Sequence, residues 1–349
     1  MRSVSFVTVA AAIGVLLLVS VPGFSQAQPQ AVAAKPAAAA TTGSPKGWTP
    51  PRTADGVPDL QGYWTNLTDT PLERPKELGT KEFFTPEEIA ARQKREEEQA
   101  AKRLEGRQTE PGTQADVHYD LAQFGLDRSQ SKVSASTRTS LITGPEGRIP
   151  SLLPEAQKRQ ADRAAFNRVH GFDGPETRSL SERCILWPNE GPPMLAPGYN
   201  SNLEIVQGPG YVAILQEMIH DTRVIPTDGR PHLPSNVRQL LGDSRGHWEG
   251  NTLVVETTNF TDRTAFRGAS EDLKVIERFT RTAPNSILYQ FTVSDPKTWD
   301  QPWSAELPMT TIDGPIYEYA CHEANYGMAN NLKGARVSEE EAAKKAAQK

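Results

Sequence analysis

Beyond residue 200 the hydrophobic positions of the chain fall into a period of two. Leu203 to Gln207 and Tyr211 to Met218 read as strands, and the turn residues Pro209 and Gly210 between them predict a hairpin. The pair Gly250-Asn251 predicts a second tight turn. The strand it opens places Leu253, Val255 and Thr257 on one side and Val254, Glu256, Thr258 and Phe260 on the other. The same alternation recurs over Lys274–Arg281 and Ile287–Ser294, and shorter runs predict strands at Ala305–Thr311 and Ile316–Cys321. Short turns and the lack of strand–helix–strand spacing make this a mainly β protein, an antiparallel meander. Closing it into a barrel-like, lipocalin-like core is the economical way to remove its edges, with a sandwich as the alternative.

The first half of the chain is patterned differently. Thr85-Pro86-Glu87-Glu88 supplies an N-cap, a proline at the first helical position and a glutamate able to reach back to the cap. A helix is expected from there to Leu104, with Glu88/Arg92 among its ion pairs. A second helix is expected from Pro154 to Val169, packing through Ala161, Ala164, Ala165 and Phe166. Both belong outside the β core as peripheral N-terminal helices. Asp59 to Trp64 is a short strand or a cover over a core edge, and residues 107–150 carry only isolated apolar positions, so they wrap irregularly. From Ser338 onward, acidic residues followed by lysines start a helix with no bulky apolar stripe, a frayed surface tail.

The extreme N-terminus changes the picture of where this chain works. Arg2, the apolar run Phe6–Val21 and the exit Ser25-Gln26-Ala27 have the order of a secretory signal peptide. The expected organisation is a leader over 1–27, an Ala/Pro-rich tether over 28–47, a wrapping segment over 48–199, a β core over 200–336 and a tail over 337–349. The mature protein is then periplasmic or secreted, without a stable transmembrane segment after cleavage. In such a compartment the only two thiols, Cys184 and Cys321, are candidates for a disulfide, the alternative being two buried free thiols. A net charge of −5 gives nucleic acid no general attraction, although a local basic patch is compatible with it.

Several runs carry a resemblance. Asp221-Thr222-Arg223-Val224-Ile225, Asp228-Gly229-Arg230-Pro231-His232, Gly242 to Glu256, Glu277-Arg278-Phe279 and Glu318 to Tyr326 resemble a widespread family of uncharacterised exported bacterial proteins. The resemblance spans Trp48 to Arg336 and implies export and a shared fold. It transfers no activity and no catalytic residue.

Candidate chemistry comes from the polar clusters of the β-segments. Gly242-Asp243-Ser244-Arg245-Gly246 fits the spacing of a hydrolase nucleophile, but a β-run follows it where the nucleophile elbow requires a helix, so a polar turn is the better reading. Arg223 and Arg230 are candidates for holding a substrate carboxylate or phosphate, and His232 for proton transfer; the plain alternative is an ion-paired turn around Asp228-Gly229. On a strand, Glu318 and His322 share one face and would make an acid/base pair if that face looked into a barrel. His220/Asp221, His232, His247/Glu249 and His322/Glu323 lack any spacing that defines a metal site, and no metal or cofactor is assigned. Trp248, Trp299 and Trp303 read as core plugs.

Two functional classes follow. The first is a small-ligand-binding or structural protein of the cell envelope. The second is an enzyme, a hydrolase, lyase or isomerase, using an acid/base pair and an arginine inside a β-barrel pocket. A small molecule is the candidate partner for the binding and enzyme readings, and in neither class is the partner a nucleic acid.

Overall fold

A computed structural model describes residues 48–105, 136–144, 146–263, 266–323 and 325–348. The leader and tether expected over 1–47 lie outside the described residues. Nine strands form one sheet: β1 (Gly62–Thr65), β2 (Asn202–Gly208), β3 (Tyr211–Gln216), β4 (Thr222–Pro226), β5 (Asp243–Glu249), β6 (Thr252–Thr258), β7 (Lys274–Ala283), β8 (Ser286–Ser294) and β9 (Trp303–Thr311). Their order is β4-β3-β2-β1-β9-β8-β7-β6-β5, with every neighbouring pair antiparallel. The sheet curls into a nearly closed barrel. Eight antiparallel steps return β5 to the direction of β4, so the two edge strands run parallel where they meet, and among the described residues no ladder joins them. Close approach seals that seam. A Cβ on Gly246 would lie 3.0 Å from a methyl group of Ile225 and 3.0 Å from one of Thr227, so any side chain there would have to displace those methyls by a few tenths of an ångström.

Alternation decides which side chains fill the barrel. Leu203 and Ile205, Val212 and Ile214, Leu253 and Val255, Val275 and Phe279, Tyr289 and Phe291, and Leu307 and Met309 are all buried in one core. Trp299 and Trp303 are buried there as core plugs, and Trp248, partly buried, packs against it at the rim. Trp64 of β1 is fully buried, and its indole N–H donates to the Leu60 carbonyl at 3.0 Å, which satisfies its one polar atom. Gly210 and Gly250 take positive φ of 79° and 61° in the two tight turns, a conformation that costs glycine nothing.

The sheet differs from expectation at both ends of its order. No strand forms over Ile316–Cys321: β9 already has β8 on one side and β1 on the other, which leaves no edge for another partner. The insertion of β1, more than a hundred residues distant from β2, does this closing work. Conversely β4 and β5 are strands that the alternation did not predict, and the start of β5 reads as a polar turn. In β5 the inward positions are Ser244, Gly246 and Trp248, and the first two carry no hydrophobic signal. The serine hydroxyl is buried against that of Thr257 at 2.9 Å, so Gly242–Gly246 is neither an elbow nor a turn.

Three helices lie outside. α1 (Pro86–Glu105) opens with the expected box: Glu88 N–H donates to Thr85 Oγ1 at 3.3 Å and Thr85 N–H to Glu88 Oε2 at 2.8 Å. The Glu88/Arg92 pair does not form, because Glu88 takes Lys81 and the Arg92 guanidinium sits 4.5 Å above the Phe84 ring. α2 (Pro154–His170) buries only Ala156, and Ala161, Ala164, Ala165 and Phe166 are exposed. It is held instead by polar arms: Arg159 donates to the Lys297 carbonyl and Thr298 Oγ1, and Arg163 to the Asp262 carbonyl. α3 (Tyr326–Ala347) replaces the frayed tail. It starts at Asn325, whose side chain accepts from Met328 N–H, and Ser338 is an interior residue bonded to the Gly334 carbonyl. None of the described helices is long and apolar enough to cross a membrane.

Candidate functional site at the mouth of the barrel

The segment between α2 and β2 has no regular strand, yet it holds some of the most buried residues of the chain. Leu186, Met194 and Leu195 join the barrel residues in burial, and Met194 N–H donates to the hydroxyl of Tyr289, deep on the inner face of β8, at 2.9 Å. The segment therefore plugs one end of the barrel. Cys184 within it is joined to Cys321 by a disulfide, as expected, and Asn325 Nδ2 donates to the Glu182 carbonyl at 2.7 Å, so the plug is also tied to the start of α3.

Beneath the plug lies a buried polar cluster. Arg223 on β4 points inward beside Ile225 and forms an ion pair of 2.9 Å with Glu277 on β7. Tyr289 donates its hydroxyl to the other carboxylate oxygen of Glu277 at 2.8 Å. Glu277 is fully buried and Arg223 is 8% exposed. Arg223 Nε and Nη1 have no hydrogen-bond partner among the described residues. Burial beside the Glu277 charge pushes the Tyr289 hydroxyl well above the usual phenol range, so it stays a donor. Close by in sequence, the Glu190 carboxyl is buried at the edge of the plug. One oxygen accepts from Trp187 N–H at 2.8 Å and the other has no partner. Desolvation raises Glu190 to about 8, with Asp221 adding and the Trp187 hydrogen bond opposing.

Between α2, the plug and the barrel rim opens a cleft of about 620 Å³. Its apolar wall includes Leu186, Trp187, Phe260, Phe266 and Leu273. Arg163, Arg178, Arg183 and Arg263 also line it, against a single carboxylate, Glu176. Arg178 is fixed by the Gly171 carbonyl, by Glu182 and by stacking 4.2 Å from the Phe172 ring. The side chains of Arg183 and Arg263 have no partner among the described residues.

The five residues expected to supply a site are not brought together. Only Arg223 faces the interior, and its charge is met by Glu277. Arg230 is exposed and paired with Asp228, whose carboxyl it holds down at about 2, so this part is the ion-paired turn. His232 lies on the outside of the barrel between two carboxylates, with Nδ1 2.7 Å from Asp243 and Nε2 3.4 Å from Glu256. Glu318 and His322 are exposed in irregular backbone rather than on one strand face, because the strand that would have aligned them does not form. Of the histidine pairs, His247 is bound to Glu249 and His220 to the Tyr319 carbonyl; among the described residues no three potential ligands converge on a metal position.

Glu277, Tyr289, Glu190 and the cleft arginines escaped the reading of the sequence. A signal existed for Glu277, a charge at an inward-phase position between Val275 and Phe279, and for Arg223, in phase with Ile225. None existed for the cleft, whose residues come from α2, the plug and the barrel rim. No protein-family model, curated protein or solved structure matches the chain.

Proposed function

We propose that this protein is an exported small-molecule-binding protein of the periplasm or cell surface, and that its ligand sits in the cleft between α2, the plug and the barrel rim. The observation that carries this reading is the cleft itself. It has the volume of a drug-sized ligand site, buried apolar walls and a few polar groups from elements held by a barrel and a disulfide. The signal-peptide pattern of the first 27 residues and the oxidised cysteine pair support an oxidising compartment. The test is native mass spectrometry of the purified protein after exposure to a broad metabolite mixture, compared with Leu180→Trp, which fills the cleft from a half-buried lining position. Wild type is expected to retain a small molecule and the variant to lose it at an unchanged unfolding temperature. Retention by both, or by neither, would overturn the assignment.

A further inference from the structure

We propose that the cleft selects an amphipathic oxyanion, a molecule with an apolar body and a carboxylate, sulfonate or phosphate head. This rests on the cleft being the ligand site. Four guanidinium groups line the cleft, against Glu176 in the lining and Glu182 on Arg178, which leaves a local excess of positive charge on a chain whose net charge is −5. Arg230, Arg278 and Arg336 on the surface are paired with carboxylates, while Arg52 and Arg159 are held by neutral acceptors. Arg183 and Arg263 have neither among the described residues, and Arg163 reaches only the Asp262 carbonyl. Their planar donor forks match an oxyanion two bonds at a time. The same lining carries apolar residues, with Leu186, Phe260, Phe266 and Leu273 buried, and a low-dielectric wall strengthens the attraction between guanidinium and anion.

The interior cluster is the competing place for an anion, and its charge balance argues against it. Arg223 is already neutralised by Glu277, so a second anion there would be buried without a counter-charge. The cleft has cationic charge to spare and the interior has none.

The experiment uses the full mature chain and two fluorescent probes that differ only in their head group: anilinonaphthalene sulfonate and its uncharged parent, phenylnaphthylamine. Wild type is expected to bind the sulfonate at least about tenfold more tightly. The double variant Arg183→Gln/Arg263→Gln, checked for an unchanged urea midpoint, is expected to bind both probes alike, and Leu180→Trp to bind neither. Laurate is expected to displace the sulfonate, and inorganic phosphate is not. If wild type binds neither probe, the cleft is not a ligand site and the reading under Proposed function falls with this one. Equal binding of both probes by wild type keeps the cleft as a site but overturns its anion selectivity, as does a preference that survives in the double variant. Displacement by inorganic phosphate as effective as by laurate overturns the amphipathic half of the proposal.

Discussion

Arg223 and Glu277 show how a single pair of charges sets the stability of the barrel interior. Each is buried, so removing one leaves the other as an uncompensated charge, whereas removing both leaves no charge and only the Tyr289 hydroxyl without its acceptor. Arg223→Met alone is therefore expected to lower unfolding free energy by about 3 to 5 kcal/mol. Arg223→Met with Glu277→Leu should recover most of that loss, and urea unfolding of the single and double variants measures the difference. Glu190 acts with the opposite sign to a paired carboxylate. Its carboxyl sits at about 8 in the fold against an ordinary 4.5, so the folded state holds a proton that the unfolded chain releases. Its contribution to stability is fully present below about pH 4.5 and is lost as pH rises to about 8. Glu190→Gln should flatten the fall of stability across that window, measured as unfolding midpoints at a series of pH values.

The elements divide into those that carry their own instructions and those that borrow them. α1 belongs to the first kind. Its start is written in the reciprocal Thr85–Glu88 hydrogen bonds, and Thr85→Ala is expected to speed amide exchange at Glu88 by about fivefold while the amides of the barrel strands are unchanged. Hydrogen exchange read residue by residue checks both halves of that statement. β6, β7 and β8 are also self-declaring, because every inward position on β8, Ile287, Tyr289, Phe291 and Val293, is apolar in body. β4, β5 and α2 borrow. β4 is five residues long with an inward arginine, β5 turns a serine and a glycine inward, and α2 docks through arginine arms on backbone carbonyls rather than through an apolar stripe.

At the scale of the whole molecule, the disulfide between Cys184 and Cys321 joins the plug to the segment that leads into α3, across a separation of 137 residues. By loop-closure entropy a bridge over so long a loop is worth about 4 to 5 kcal/mol. The double variant Cys184→Ser/Cys321→Ser is expected to unfold at a correspondingly lower urea concentration. Because Arg183 adjoins Cys184 and the plug supplies much of the cleft wall, the same variant is expected to lose affinity for an amphipathic anion under conditions where it is still folded. Binding of the sulfonate probe at low denaturant, alongside circular dichroism of the β-sheet, checks this.

What the sequence determined by itself is what local physics can write. Period-two alternation and glycine turns specified β2, β3 and β6 to β9, a capping box specified α1, and two lone cysteines in a chain with a secretory leader pattern made a disulfide a candidate beside two buried thiols. The antiparallel meander follows from those short connections, whereas barrel and sandwich were both compatible with them until β1 paired with β2 and β9. Tertiary structure alone decided how the ring is completed and where ligands are met. β1 fills the place beside β9 that Ile316–Cys321 would have needed, and so Glu318 and His322 end up exposed and apart. Arg223 meets Glu277 because the curl of the sheet brings β4 and β7 across the interior, a proximity that no spacing along the chain records. The cleft arginines converge because polar side-chain arms dock α2 and a disulfide holds the plug. Alternation reports which way a residue points relative to its own strand, and contacts between distant segments depend on how those strands and helices are then assembled.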